Sequence, residues 1–475
     1  MPDSVTFTVH GLSSSYASGE MSPVEATRAC LQQIEEFDPL FNAFVGIDAD
    51  TALGLALDSE RRWREGAALG PVDGIPTVIK DTMTLRGWPT RKGSRHTDPT
   101  ALAQEDSPAA ARLREAGAVI LGKTTTPEFG WKGVGDSPLT GITRNPWDPE
   151  RTTGGSSAGS AAAIASGMAV LATGTDGGGS VRMPAAFSGI FGLKPTFAVV
   201  PVYPPSTGGT LSHVGPMTRT VADAAAMMDV IARSDRREVY PIPDDPRPWV
   251  EDLDRGVRGI RIAYSPDYGY ADVDPRIATA VRRAVDLLAE SGAHVEEVAA
   301  PFADCRDDFC TIWDGMLSMA LRDVPVEDLI HSDPGLVATL ERGRRLSAHD
   351  YLDAEAARVR ISKAMSDLLG RYDLLVSPQM PTVALPVGVD VWDPGSQVHW
   401  TQWTPFSYPH NLSRCPAASV PVGLTEDHLP MAMQVVGRHF EDRLVLRAAA
   451  AYEAVAPFPA WSPERMDRSS SEPTR

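Results

Sequence analysis

The hexapeptide Thr175-Asp176-Gly177-Gly178-Gly179-Ser180 sets three glycines in front of a serine. With no side chains to screen them, the consecutive backbone N–H groups can converge on an anion. A serine at that place would attack a carbonyl carbon while the preceding amides hold the developing oxyanion, a contribution of about 2.7–4 kcal/mol per donor in acyl transfer. Serine at its free pKa is a weak nucleophile, so a base has to be found. Of the ten histidines, His96, His213, His410 and His439 fall in loop-like segments, and none has a spacing that marks it as that base. A lysine can serve instead if burial disfavours its ammonium form. Lys80 closes the apolar run Gly74-Ile75-Pro76-Thr77-Val78-Ile79, a strand pattern that carries the amine inward. On residue type alone a strand-end lysine that reaches water is the other reading, since lysines are seldom buried.

Between Ser157 and Gly167 the chain is almost entirely Gly, Ser and Ala. Such a run is poor material for an exposed helix and suits one packed closely on strands, because missing side chains let backbones approach. It lacks the GK[ST] of a phosphate-binding loop. Ser157, Ser160 and Ser188 read as packing or capping residues without a chemical role.

The elements around these residues alternate. Ser22-Pro23-Val24-Glu25 has an N-cap serine, proline at the first helical position and glutamate at the third, opening an amphipathic helix. Ser107-Pro108 opens a second helix in the same way, and the apolar run AVILGKT follows as a strand. GIRIAYSPD, the helix after Asp274-Pro275 and HVEEV repeat the order, and IPTVIKD, DLLVSPQ, AASVPVG and PMAMQVVG read as further strands. The expectation is an α/β layered fold around a largely parallel sheet. At 475 residues, length alone suggests two or three domains. The Asp-, Arg- and Pro-rich stretch Asp235–Pro248 reads as a linker or a surface loop, and the polar tail Ser462–Arg475 is expected to be mobile.

Composition excludes several classes. Forty-four basic against 62 acidic residues give a net charge of −18, which disfavours nucleic acid and anionic membrane surfaces as partners. The N-terminus has no basic region followed by an apolar one, and no stretch approaches a membrane span, so the expectation is a cytoplasmic protein. Cys30, Cys305, Cys310 and Cys415 are too few and scattered for a disulfide framework, and no second Cys/His pair supports a metal site.

GIPTVIKD, then NPWDPERTTGGSSAGSAAA, then GTDGGGSVRMPAAFSGIFGLKPT, in this order, closely resemble the amidase signature family. The resemblance runs from about Ser22 to Gly437 and includes GKTTTPEFG before the signature and LSHVGPMTRTVADA after it. It implies one large α/β/α domain around a mixed, largely parallel sheet, spanning residues 1–461 with a signature core at about 71–200, in place of two or three domains. It also implies a Ser–cisSer–Lys triad with Ser180 as nucleophile, Ser156 behind a cis peptide as proton relay, and a neutral Lys80 as base. Backbone N–H groups across Gly177 to Ser180, with Gly177, Gly178 and Gly179 foremost, match the oxyanion hole, Asp176 and Arg182 match supporting positions, and no cofactor or metal is expected. The sequence departs from many relatives at Gly177, where a larger residue is common, and at Ala158, where glycine is; the first departure would loosen the oxyanion loop.

By the same resemblance the expected activity is that of an amidase on linear carboxylic amides, like a bacterial amidase or aryl acylamidase. The substrate would be a small, partly apolar or aryl amide, with esters and carbamates as related candidates. Phe129, Trp131, Trp400, Trp403 and Phe406 would suit such a pocket or equally a core. A second reading is the glutamine-hydrolysing component of a glutamyl-tRNA amidotransferase-like complex, which would need partner proteins; the acidic balance favours the free-standing hydrolase. A third, a catalytically silent binding protein, is opposed by the presence of Lys80, Ser156 and Ser180 together. Homodimers are frequent among relatives, but no sequence feature marks an interface.

Overall fold

The computed structural model describes residues 7–325 and 328–464, so most of the tail read as mobile, from residue 465 on, lies outside the described residues. Helices α1 (Val9–Ser18) and α2 (Pro23–Phe41) precede β1 (Phe44–Ile47), followed by α3 (Ala49–Arg64), β2 (Pro76–Lys80), α4 (Pro108–Glu115) and β3 (Val119–Thr124). Two short hairpins come next, β4 (Asp136–Ser137) with β5 (Gly141–Ile142) and β6 (Arg144–Asn145) with β7 (Asp148–Thr152). They lead into α5 (Ala158–Ala165), β8 (Leu171–Asp176), α6 (Arg182–Ser188), β9 (Phe191–Lys194), β10 (His213–Thr218) and α7 (Val221–Ile231). The second half runs through β11 (Arg261–Tyr264), α8 (Pro275–Glu290), β12 (His294–Glu297), α9 (Arg306–Ala320), α10 (Pro334–Arg345) and α11 (Ala348–Arg371). It ends with β13 (Leu374–Pro378), α12 (Tyr408–Leu412), β14 (Ala417–Leu424), β15 (Pro430–Gly437) and α13 (Asp442–Val455).

The local signals read from sequence act as expected at α2. The Ser22 hydroxyl accepts from the Glu25 N–H and the Glu25 carboxylate accepts from the Ser22 N–H, closing the capping box with Pro23 at the first turn. At α4, Ser107 holds the N-cap position without making a side-chain cap bond. The stretch Asp235–Pro248 runs without helix or strand between α7 and β11.

Eleven strands, drawn from residue 44 to residue 437, form one sheet in the order β1-β3-β2-β8-β10-β9-β14-β15-β13-β11-β12. It is mixed, but the balance differs from the largely parallel sheet expected. Among the described residues β2 pairs in parallel with β3 and β8, and β11 with β12 and β13. The pairs β1/β3, β8/β10, β9/β10, β9/β14, β14/β15 and β13/β15 are antiparallel. The reason is in the connections. Between β14 and β15 only residues 425–429 intervene, a length that allows a hairpin and no crossover helix, whereas the long segment with α4 between β2 and β3 returns the chain in parallel.

The small-residue helix α5 is buried along all eight residues, as its composition requires. Gly159 shows why. Its N–H donates to Thr125 O at 3.2 Å, and a Cβ built on it would lie 2.0 Å from Ala43 O and 2.5 Å from Thr125 N, so the helix backbone rests directly on the chain leaving β3. Gly159→Ala should therefore force the two backbones apart and lose about 3 kcal/mol or more of stability, read from the urea midpoint; a loss under about 1 kcal/mol would show that α5 is free to shift.

Candidate active site

Lys80 is the last residue of β2, with its N–H donating to Thr173 Oγ1 at 3.0 Å across the gap to β8. The residue is 0 % exposed. Its Nζ donates to Ser156 Oγ at 2.9 Å, Ser157 Oγ at 2.9 Å and Thr175 Oγ1 at 2.8 Å. Three hydroxyl oxygens can satisfy the three N–H bonds of an ammonium, and once the amine is neutral one hydroxyl can donate to its lone pair. Burial holds the amine well below the ordinary lysine range, against the opposing charge of Asp176. Asp81, the next residue, turns its carboxylate to Lys123 at 2.7 Å. In its neutral form such an amine could take a proton from a neighbouring hydroxyl.

Ser156 follows a cis peptide from Gly155 and is 3 % exposed; Ser180, just before α6, is 4 % exposed. The two loops are tied by the Ser157 N–H, which donates to Ser180 O at 3.2 Å. Among the described residues no hydrogen bond joins the Ser156 and Ser180 hydroxyls, the kind of contact that commonly tightens only around substrate.

Asp176, at the end of β8, organises the glycine loop. Its carboxylate accepts from the Gly179 N–H at 2.7 Å and the Val181 N–H at 3.2 Å and takes Arg182 through Nε and Nη2, each at 2.9 Å. Burial opposes that charge, and Arg182 outweighs the burial, holding the carboxyl well below the usual carboxylate range. One consequence corrects the expected oxyanion set. The Gly179 N–H is taken up by Asp176, leaving those of Gly177, Gly178 and Ser180 without a protein acceptor among the described residues.

Gly177 and Gly178 are required by what covers them. A Cβ on Gly177 would meet the Trp313 ring at 2.7 Å, and one on Gly178 would meet Phe309 at 2.6 Å and Trp400 at 2.8 Å. The expected loosening at Gly177 does not occur, because the Trp313 indole of α9 fills the space a side chain would take. Trp400 belongs to this aromatic cover, while Trp403 stacks on Phe187 and Phe406 packs on Tyr268. Trp131 is buried in the same core as Trp400. Phe129 lines a cavity beside Thr82 and Thr175.

Several partners escaped the sequence reading. Ser157, assigned no chemistry there, bonds the Lys80 amine. Arg182 reaches Gln434 Oε1 at 2.7 Å, Ser407 O at 3.0 Å and Asn411 Oδ1 at 2.7 Å, and Asn411 Nδ2 donates on to Asp176 Oδ1 at 2.9 Å. These residues lie more than 220 positions from Arg182 and carry no local signature. The histidines also move. His213 stands in β10 with Nδ1 at 2.9 Å from Leu211 O, and His410 in α12 bonds the Tyr268 hydroxyl at 2.8 Å, so neither is in a loop. His96 bonds Ser332 Oγ and His439 bonds Ser413 O. Among the described residues none of the four bonds Ser156 or Ser180. Among the described residues no group of three or more His, Cys, Asp or Glu could hold a metal ion, and no helix is long and apolar enough to cross a membrane.

The amidase family profile matches residues 25–446. The chain belongs to the amidase family. It is 34 % identical to an acylamidase of Rhodococcus erythropolis over 461 residues, covering 94 % of this chain and 95 % of the relative. It is also 34 % identical to the A-type component of the glutamyl-tRNA(Gln) amidotransferase of Chloroflexus aurantiacus, over 96 % of this chain and 98 % of that one. Among solved structures, a bacterial aryl acylamidase of the amidase signature family superposes with a TM-score of 0.89 at 29 % identity, covering 99 % of each chain. A 6-aminohexanoate cyclic dimer hydrolase matches with a TM-score of 0.89 at 26 % identity, over 98 % of this chain and 100 % of that one. This amidase signature protein is accordingly an amidohydrolase, with the α/β architecture of those structures.

In this amidase the Asp176–Arg182 pair is wholly buried. Arg182→Met would strand a carboxylate that also anchors the Gly179 and Val181 amides. The expected cost is about 3–5 kcal/mol in chemical denaturation, with a parallel fall in kcat; unchanged stability would mean the loop is held by other contacts.

Proposed function

We propose that this amidase hydrolyses a small, partly apolar or aryl carboxylic amide through a serine acyl-enzyme. The observation that carries the mechanism is the Lys80 amine, buried without a bonded carboxylate among the described residues and 2.9 Å from the Ser156 hydroxyl. Neutral Lys80 takes a proton from Ser156, Ser156 takes one from Ser180, and Ser180 Oγ attacks the amide carbonyl. The N–H groups of Gly177, Gly178 and Ser180 hold the oxyanion. Reversal of the relay protonates the leaving amine, and water then attacks the acyl-Ser180 ester by the same route. The products are a carboxylate and an amine.

The likeness to an acylamidase and an aryl acylamidase supports an aryl or apolar amide, and the aromatic cover of Phe309, Trp313 and Trp400 over the glycine loop is compatible with one. Esters and carbamates present the same carbonyl and fall within the proposal. Strands from both halves of the chain share one sheet, which supports reading residues 1–461 as a single domain. The equal 34 % identity to an amidotransferase component supports a second reading, glutamine hydrolysis coupled to partner proteins.

The purified chain should cleave members of a panel of aryl anilides, aliphatic amides, aryl carbamates and esters, and Ser180→Ala and Lys80→Met should each lower kcat by at least about 10³-fold. Ester turnover should leave an acyl adduct on Ser180 detectable by mass spectrometry. Glutamine turned over only when partner proteins are added would favour the second reading. Because only the neutral amine accepts a proton, and burial lowers the Lys80 pKa from 10.5, kcat/KM should rise with pH through a limb lying below that value. A rate falling steadily from about pH 6 to 8 would overturn Lys80 as base.

A further inference from the structure

The cavity that Phe129 lines has a volume of about 260 Å³ and ends against Thr82 and Thr175. Thr175 is the residue whose hydroxyl accepts from Lys80 Nζ at 2.8 Å, so the cavity stops one side chain short of the base. The relay does not use it.

Lys92 is the charged side chain in its wall. Lys92 is fixed through its backbone, its N–H donating to Asp81 O at 3.3 Å and its carbonyl accepting from the Phe129 N–H at 2.7 Å. Its ammonium enters no ion pair among the described residues, and Asp81, the carboxylate whose charge acts on it, is already paired with Lys123 at 2.7 Å. Thr84 and Ser107 reach the wall with their hydroxyl oxygens turned behind it, buried and without a hydrogen-bond partner among the described residues. The adjacent Asp106 carboxylate is neutralised by Arg114 at 2.8 Å. One cation without an ion pair among the described residues therefore lines a small chamber whose wall is otherwise uncharged. A half-buried cation of this kind is satisfied by an acceptor that brings negative charge.

We propose that this cavity is a substrate subsite for a carboxylate. The amide that the enzyme cleaves carries a carboxylate arm that pairs with Lys92, while Phe129 covers the apolar linker to the scissile bond. The inference rests on the amidase reading above and adds a substrate class to it. Lys92 acts on binding and leaves the chemistry to Lys80, Ser156 and Ser180.

The test compares kcat/KM for matched pairs of amides. On the acyl side these are the half-anilides of succinic, glutaric and adipic acid, each against the anilide ending in methyl. On the amine side the pair is 4-acetamidobenzoate against 4-methylacetanilide. In the wild type at least one carboxylate partner should be preferred tenfold or more, mainly through KM. Lys92→Met should bring that ratio close to one, and Lys92→Arg should keep much of it. A wild-type ratio at or below one for every pair, or an equal ratio in Lys92→Met, overturns the proposal. If the wild type cleaves none of these amides, the amidase reading is what fails. Calorimetry with the half-anilides then decides the subsite, with a Kd at least tenfold weaker in Lys92→Met supporting it and equal or absent binding overturning it.

Discussion

The Lys80 amine lies out of water with three hydroxyl oxygens within 2.9 Å and, among the described residues, no carboxylate bonded to it, and the elements around it are arranged to keep it so. A desolvated ammonium is destabilised relative to the neutral amine, but a carboxylate brought into contact would reverse the balance. Two carboxylates are close at hand. Asp81 follows Lys80 in sequence and is held by Lys123; Asp176 ends the neighbouring strand and is held by Arg182. Each acid has its own cation, so neither is free to claim the Lys80 amine.

This separation depends on strand geometry. β2 lies between β3 and β8, all three running parallel, so Lys80, the Lys123 that pairs with Asp81, and Asp176 arrive together at the C-terminal ends of adjacent strands. The helix α5 can then bring Ser156 and Ser157 up to the amine, because its small residues let it seat directly on the chain after β3. A reactive set held on packed strands and a buried helix keeps its geometry better than one carried on loops.

The surroundings that would choose a substrate are built differently. The cover over Gly177 and Gly178 comes from α9 and the residue Trp400, and the polar cavity beside Thr175 gathers Lys92, Thr84 and Ser107 from the crossover between β2 and β3. These segments lie outside the glycine–serine motifs, which is how one catalytic frame can serve amides of different shape.

Where a physical requirement is local, the sequence disclosed it. The capping box at Ser22, the small residues of α5, the apolar run ending in Lys80 and the glycines before Ser180 each state a need of the backbone within a few residues, and the motifs joining them carried the family resemblance. Other features were decided by tertiary structure. His213 and His410 read as loop residues, but pairing with β8 holds the first in a strand and the second lies in the short helix α12. Ser157 looked like packing material until the fold set it 2.9 Å from an amine 77 positions earlier. Whether the Gly179 N–H faces a substrate or Asp176 is likewise a matter of where a carboxylate points. By itself the sequence determined which groups could react, because residue type and local spacing fix chemistry and backbone freedom. Only the tertiary structure decided which acids are neutralised, which amides remain free and what covers them, because those contacts join residues that the chain keeps far apart.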